Sequence, residues 1–186
     1  GQSLPLAEGL AAEAGQLPTP QELAQSGQLA NFSFGQGSLL ATPMQVAALF
    51  NTFAADGVYR APYVLQATLD ETTGQPVENL SHPRGWRVLP AQSAALLRDM
   101  LVQVVQQGTA QDAAGLSGGA GGKTGTAQTG QFTPEGAERC NLWFAGFWPA
   151  EKTRYTIVVL QDGAIHTAYS GADIFAQVCN ALEAAG

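Results

Sequence analysis

The residues best suited to chemistry form one run, Gly121-Gly122-Lys123-Thr124-Gly125-Thr126-Ala127-Gln128. A cation, two hydroxyls and a residue without a side chain, set on a strand, can hold a carboxylate while a ligand lies along the backbone. Gly125 lacks the Cβ that would obstruct such an approach. Successive strand residues point to opposite faces, so Thr124 and Thr126 project together. Lys123 faces away from them unless the strand twists or its long stem wraps round. Taken alone, Lys-Thr-Gly recurs by chance and more often marks a solvated turn, so its meaning depends on its surroundings.

The surroundings are legible. Gly115 to Gly122 is mostly Gly, Ser and Ala, a flexible lead-in that lets another backbone come close. Downstream, Asn141 to Trp148 is nearly continuous in apolar residues and reads as a strand buried on both faces. Pro149 to Lys152 makes a turn, and Tyr155 to Leu160 is a β-branched strand, antiparallel to the one before it because the turn is short. Ser170 caps a terminal helix, 170–184, with Ile174, Phe175, Val178 and Leu182 on one side.

Upstream, a helix spans 42–56: Thr42 is its N-cap, Pro43 fits the first turn, and Gln45 completes a capping box. Val46, Leu49, Phe50 and Phe53 share one face, and Gly57 supplies an exit with positive φ. Tyr59 to Asp70 reads as extended, turning at Glu71 to Gly74 and returning towards Trp86-Arg87-Val88. A second helix spans 90–107, with Leu97, Met100, Leu101, Val104 and Val105 on its apolar face. Residues 1–31 show no lasting period and read as an irregular excursion, in which Pro18 and Pro20 exclude a long helix. The fold class is α/β (α+β), with helices packed on a short antiparallel sheet.

Composition bounds the function. A chain of 186 residues, 45% of them hydrophobic, can bury one sizeable core. The net charge of -7, with eight scattered basic residues, argues against a nucleic-acid partner. No apolar run approaches the ~20 residues that cross a bilayer, and no export signal opens the chain. Gly1 rather than Met at the start suggests a cut or processed piece. Cys140 and Cys179 have neither the spacing nor the neighbouring His of a metal site and read as unpaired thiols in apolar segments.

In this context the run 121–128 resembles the third motif of penicillin-binding proteins and serine β-lactamases, whose set is Ser-x-x-Lys, Ser-Asp-Asn and Lys-Thr-Gly. Phe34-Gly35-Gln36-Gly37 with Thr42-Pro43-Met44-Gln45-Val46-Ala47 is similar to the segment that follows the second motif in class B penicillin-binding proteins. Val88-Leu89, Gly108-Thr109-Ala110 and Trp143-Phe144-Ala145-Gly146-Phe147 look like the same class. The resemblance covers 31–184, and 1–186 would be the C-terminal part of one transpeptidase domain with a partial penicillin-binding/β-lactamase-like fold.

The resemblance implies a peptidoglycan D,D-transpeptidase fragment at the outer face of the bacterial cytoplasmic membrane, with its anchor elsewhere. It needs no cofactor and no metal. Lys123 would supply a positive field and organise the catalytic groups; Thr124 and Thr126, beside Gly125, would bind the carboxylate of a D-Ala-D-Ala stem peptide or of a β-lactam. The N–H of Thr126 would be an oxyanion donor. Implied partners are stem peptides, β-lactams, the missing N-terminal part of the domain and cell-wall assembly proteins.

One departure limits the activity. The only lysines are Lys123 and Lys152, preceded three residues earlier by Ala120 and Pro149, so no Ser-x-x-Lys occurs. Nor does any Ser-x-Asn. The chain alone is therefore expected not to acylate. Alternatives are a non-catalytic peptidoglycan- or partner-binding module of the same fold, and a β-lactamase or carboxypeptidase relative.

The remaining polar and aromatic residues have plainer readings. His82 and His166 read as solvated or capping residues, and Asp70, Glu71 and Glu78 as turn carboxylates. Trp143, Phe144, Phe147 and Trp148 read as core, not a sugar platform. Gly35-Gln36-Gly37 reads as a tight turn, since it lacks the rest of a phosphate loop. Tyr169 and Ser170 are assigned packing and capping.

Overall fold

The structure, a computed structural model, describes residues 4–7, 10–65, 67–79 and 84–186. Its centre is a three-stranded antiparallel sheet in chain order, β7 (Gly121–Phe132), β8 (Glu138–Trp148) and β9 (Tyr155–Ala164). The six earlier strands are short pairs outside it: β1 (Leu4–Ala7) with β2 (Leu10–Ala12), β3 (Val58–Tyr59) with β6 (Trp86–Arg87), and β4 (Ala67–Leu69) with β5 (Pro76–Asn79).

Alternation along β8 assigns the two faces of the sheet. Phe144 and Trp148 point to the side covered by α5 (Gly171–Ala185), where Phe175, Cys179, Val105 and Ala113 complete a buried cluster. The rings of Phe144 and Phe175 lie 4.9 Å apart. Ala145 and Phe147 point the other way, onto Phe50 of α3 (Pro43–Ala54). α4 (Ala91–Gln107) packs against β7 and α3, and delivers Val105 and Leu101 to the two clusters. The sheet is thus covered on both faces. β7 and β9 are its edges, and among the described residues no strand pairs with the outer side of either.

Local chemistry sets the helix starts. The Thr42 hydroxyl accepts from the Gln45 N–H at 3.2 Å, and the Gln45 side chain accepts from the Thr42 N–H at 2.9 Å, the reciprocal bonds that the sequence predicts. Ser170 and Asp173 do the same for α5. Gly57 has φ +83 and leads the chain away from α3. Asp70 receives the N–H and hydroxyl of Thr73 and the N–H of Thr72, which hold its carboxyl below the usual range and close the turn before β5.

Several expectations need correction. Residues 1–31 are not irregular throughout: they include a small hairpin and two short helices, α1 (Pro20–Leu23) and part of α2 (Gln28–Ser33), although neither helix is long, in keeping with Pro18 and Pro20. Leu49, Met100 and Val178, placed on apolar faces by periodicity, are exposed; Leu49 lies in an open apolar hollow with Tyr59, Val88 and Leu97 that nothing among the described residues fills. Tyr169 is exposed as well, and only its carbonyl is engaged, accepting from Gln161 at 3.2 Å. His166 is exposed, as expected of a solvated residue; His82 lies outside the described residues.

Cys140 and Cys179 are both unpaired. Burial pushes the Cys179 thiol up to about 11. The folded state therefore keeps this proton while the unfolded chain releases it, so Cys179 stabilises the fold below about pH 9 and that contribution fades as pH rises towards 11. Iodoacetamide at pH 8 should leave Cys179 unmodified in the folded protein and label it after urea unfolding, as read by peptide mass mapping. Phe144→Ala should lower unfolding free energy by about 3–5 kcal/mol in urea titration of the full polypeptide carrying this chain.

Candidate functional site

Strand β7 enters the sheet through two glycines that serve packing. A Cβ on Gly121 would run into the Phe147 ring, and one on Gly122 into the Phe144 ring. Both positions are buried. Gly125 differs: a Cβ there would meet only the Trp143 Cβ, at an ordinary 3.5 Å. The fold itself leaves room at Gly125, so the absence of a side chain there serves the space in front of the strand.

Two hydrogen bonds reveal which backbone groups face that space. Gln36 Nε2 donates to the Thr126 carbonyl at 2.9 Å, and Lys123 Nζ donates to the Thr124 carbonyl at 2.9 Å. In an antiparallel strand the N–H and C=O of one residue point to the same side. Thr124 and Thr126 therefore turn their backbone groups to the open edge, N–H included, while Lys123 and Gly125 bond towards β8. The pairing from Gly121↔Phe147 to Gln128↔Cys140 is regular, which keeps this alternation intact.

The side chains follow the same logic. Lys123, Gly125 and Thr126 are exposed, and Thr124 is half-buried. The Lys123 stem wraps round to bring Nζ 3.4 Å from Thr124 Oγ1, which reconciles the opposite strand faces of the two residues. Thr124 Oγ1 also lies 2.8 Å from the hydroxyl of Thr109, just beyond the end of α4. Among the described residues the only ion pair joins Arg98 to Asp56 at 2.9 Å, so the Lys123 ammonium has no carboxylate partner there.

An open groove of about 600 Å³ runs beside this edge. Gly125, Thr126 and Gln128 form one wall, Phe34 to Gly37 and Leu39 to Ala41 the other, and Trp143, Asn141 and the carboxylate-bearing Asp162 extend the lining across β8 to β9. Of the four candidate residues, Gly125 and Thr126 line the groove; Lys123 and Thr124 sit one step up the strand, outside it. An uncompensated ammonium, adjacent hydroxyls and outward N–H groups can together receive a carboxylate by charge-assisted hydrogen bonds.

Sequence reasoning did not foresee two members of this arrangement. Gly35 and Gly37, with φ +83 and +82, make the tight turn expected, but Gln36 between them also clamps the turn to the Thr126 carbonyl. Thr109 stood out only as part of a string, without a role. Of the aromatic group, Phe144, Phe147 and Trp148 are buried as core, whereas Trp143 is half-buried and reaches the groove.

A helix-covered antiparallel sheet thus carries the Lys-Thr-Gly-Thr run on its edge strand, beside a groove. The profile described as "Penicillin binding protein transpeptidase domain" matches residues 2–182, and the chain belongs to that family. The chain is 34% identical over 165 residues to penicillin-binding protein PbpB of Mycolicibacterium smegmatis, covering 83% of this chain and 25% of that protein. It is 30% identical over 164 residues to peptidoglycan D,D-transpeptidase PbpA of the same organism, covering 82% and 30%. It therefore spans roughly a quarter of the length of the curated relatives it matches. Among solved structures, penicillin-binding protein 3 of Mycobacterium tuberculosis complexed with ampicillin superposes with a TM-score of 0.75 at 32% identity, covering 94% of this chain and 41% of that one. The family supports the class B resemblance read from Phe34 to Ala47.

The two kinds of glycine should separate on substitution. Gly122→Ala overpacks the Phe144 contact and should cost about 1–3 kcal/mol, whereas Gly125→Ala should stay within about 0.5 kcal/mol of the parent in urea unfolding.

Proposed function

We propose that this chain supplies the carboxylate-gripping wall of a serine acyl-transfer site that cross-links peptidoglycan stem peptides and is trapped by β-lactams. The observation that carries the reading is the open edge of β7. There, an ammonium without a carboxylate partner, the hydroxyls of Thr124 and Thr126, and outward N–H groups converge beside a groove. The names and bound drugs of the relatives point the same way: a D,D-transpeptidase and an ampicillin complex.

In this reading Lys123 gives the site its positive field. Thr124 and Thr126 hold the carboxylate of a D-Ala-D-Ala terminus or of a β-lactam, while Gly125 lets the ligand lie along the strand. A serine from a Ser-x-x-Lys segment attacks the penultimate D-Ala carbonyl, and the Thr126 N–H steadies the oxyanion. The intermediate collapses to an acyl-enzyme as the terminal D-Ala departs with a proton on its nitrogen. An acceptor amine then takes the acyl group and restores the serine. The site works at the outer face of the cytoplasmic membrane, where stem peptides are cross-linked, and is completed by the N-terminal part of the same domain. Cell-wall assembly proteins are further partners of the whole protein.

These 186 residues contain no Ser-x-x-Lys and no Ser-x-Asn. Loss of a catalytic serine costs on the order of 10⁶ in turnover, against roughly 10² to 10³ for one oxyanion donor, so the wall cannot act alone. The same open edge supports a second reading, a non-catalytic module that binds peptidoglycan or a partner through this wall.

Intact mass after penicillin exposure separates the two. The full polypeptide carrying this chain should gain the mass of one penicillin, and the 186 residues alone should gain none; a full polypeptide that stays unmodified leaves the binding module standing. Lys123→Ala in the full polypeptide should slow acylation by about 10- to 100-fold, the worth of a hydrogen bond to a charged group.

A further inference from the structure

We propose that Thr109 is a positioning residue that lets Thr124 present its hydroxyl hydrogen to an anionic ligand; the inference rests on the wall reading above. α4 runs along β7 and ends at Gly108, which places Thr109 opposite Thr124 with the two hydroxyl oxygens 2.8 Å apart. Both residues retain some exposure, Thr109 being exposed and Thr124 half-buried, so the pair is open to solvent one step up the strand from the groove wall at Gly125 and Thr126.

Hydrogen-bond capacity sets the roles of the two hydroxyls. A threonine hydroxyl has one hydrogen and two lone pairs, and an ammonium can only donate. Lys123 Nζ, 3.4 Å away, directs a donor at Thr124 Oγ1 and polarises it. With the wall empty, Thr124 can give its hydrogen to Thr109. When a carboxylate arrives, Thr124 turns that hydrogen to the anion, and Thr109 rotates to donate its own hydrogen to the vacated lone pair. Thr124 then accepts from two donors and has only a hydrogen left to offer. The wall becomes selective for an acceptor, holding a carboxylate more strongly than a neutral carbonyl, and rejects a donor group in its place.

A residue at 109 must therefore both accept and donate. Serine can do this, and valine, with the same branched shape, cannot. The Thr109 side chain is exposed, so neither replacement opens a cavity in the core.

The experiment measures acylation of the full polypeptide by benzylpenicillin and by its carboxylate methyl ester, resolving the binding constant from the acylation step. Thr109→Val should weaken noncovalent binding of benzylpenicillin by about tenfold, leave the acylation step within about twofold, and weaken binding of the ester by no more than about threefold. Thr109→Ser should behave like the parent with both compounds. Equal losses for acid and ester, equal losses in the Val and Ser variants, or no loss in Val would each overturn the role of Thr109. Thr126→Val is the control for the underlying reading. If it too fails to distinguish acid from ester, the carboxylate wall itself is refuted; if it distinguishes them while Thr109→Val does not, only the present inference falls.

Discussion

The site depends on β7 being bonded on one side only. A strand in the middle of a sheet spends every N–H and C=O on its neighbours, but here the groups of alternate residues remain for something else. The regular pairing to β8 decides which residues those are, because shifting the register by one would turn the groups of Thr124 and Thr126 inward and those of Lys123 and Gly125 outward. The register is secured by bulk: the Phe144 and Phe147 rings lie where side chains at 122 and 121 would have to be. Core packing on β8 thus controls chemistry on β7.

Neighbouring elements then dress that edge. The turn at Gly35 to Gly37 is tied to it through Gln36, and the end of α4 through Thr109, so one contact comes from each side of the sheet. Both involve uncharged side chains. The sole cation of the group, Lys123, bends back over its own strand and meets a carbonyl and a hydroxyl. The positive charge consequently stays uncancelled, as an anion receptor requires.

The sequence was most informative where the structure is local. The helix caps at Thr42 and Ser170, the three long strands and the paired threonines all follow from residues within a few positions of one another. Long-range features were invisible. Thr109 and Thr124 are 15 residues apart and Gln36 and Thr126 are 90 apart, and no periodicity links them. The first thirty residues hid a four-residue helix and a small hairpin because such pieces are shorter than any repeat that could announce them. Leu49, Met100 and Val178 teach a related lesson: helical spacing marks an apolar stripe, but only the tertiary arrangement says whether anything lies over it.

The outer side of β9 carries a different consequence. Its residues Tyr155 to Leu160 are uncharged and largely β-branched or aromatic, α3 and α5 pack against the strand, and among the described residues no strand pairs with its outer side. Natural edges of this composition are usually blunted by lysine, proline or a bulge. Among the described residues this row is unpaired, so it is a place where a further strand can add by backbone hydrogen bonds, on the margin of the sheet opposite β7.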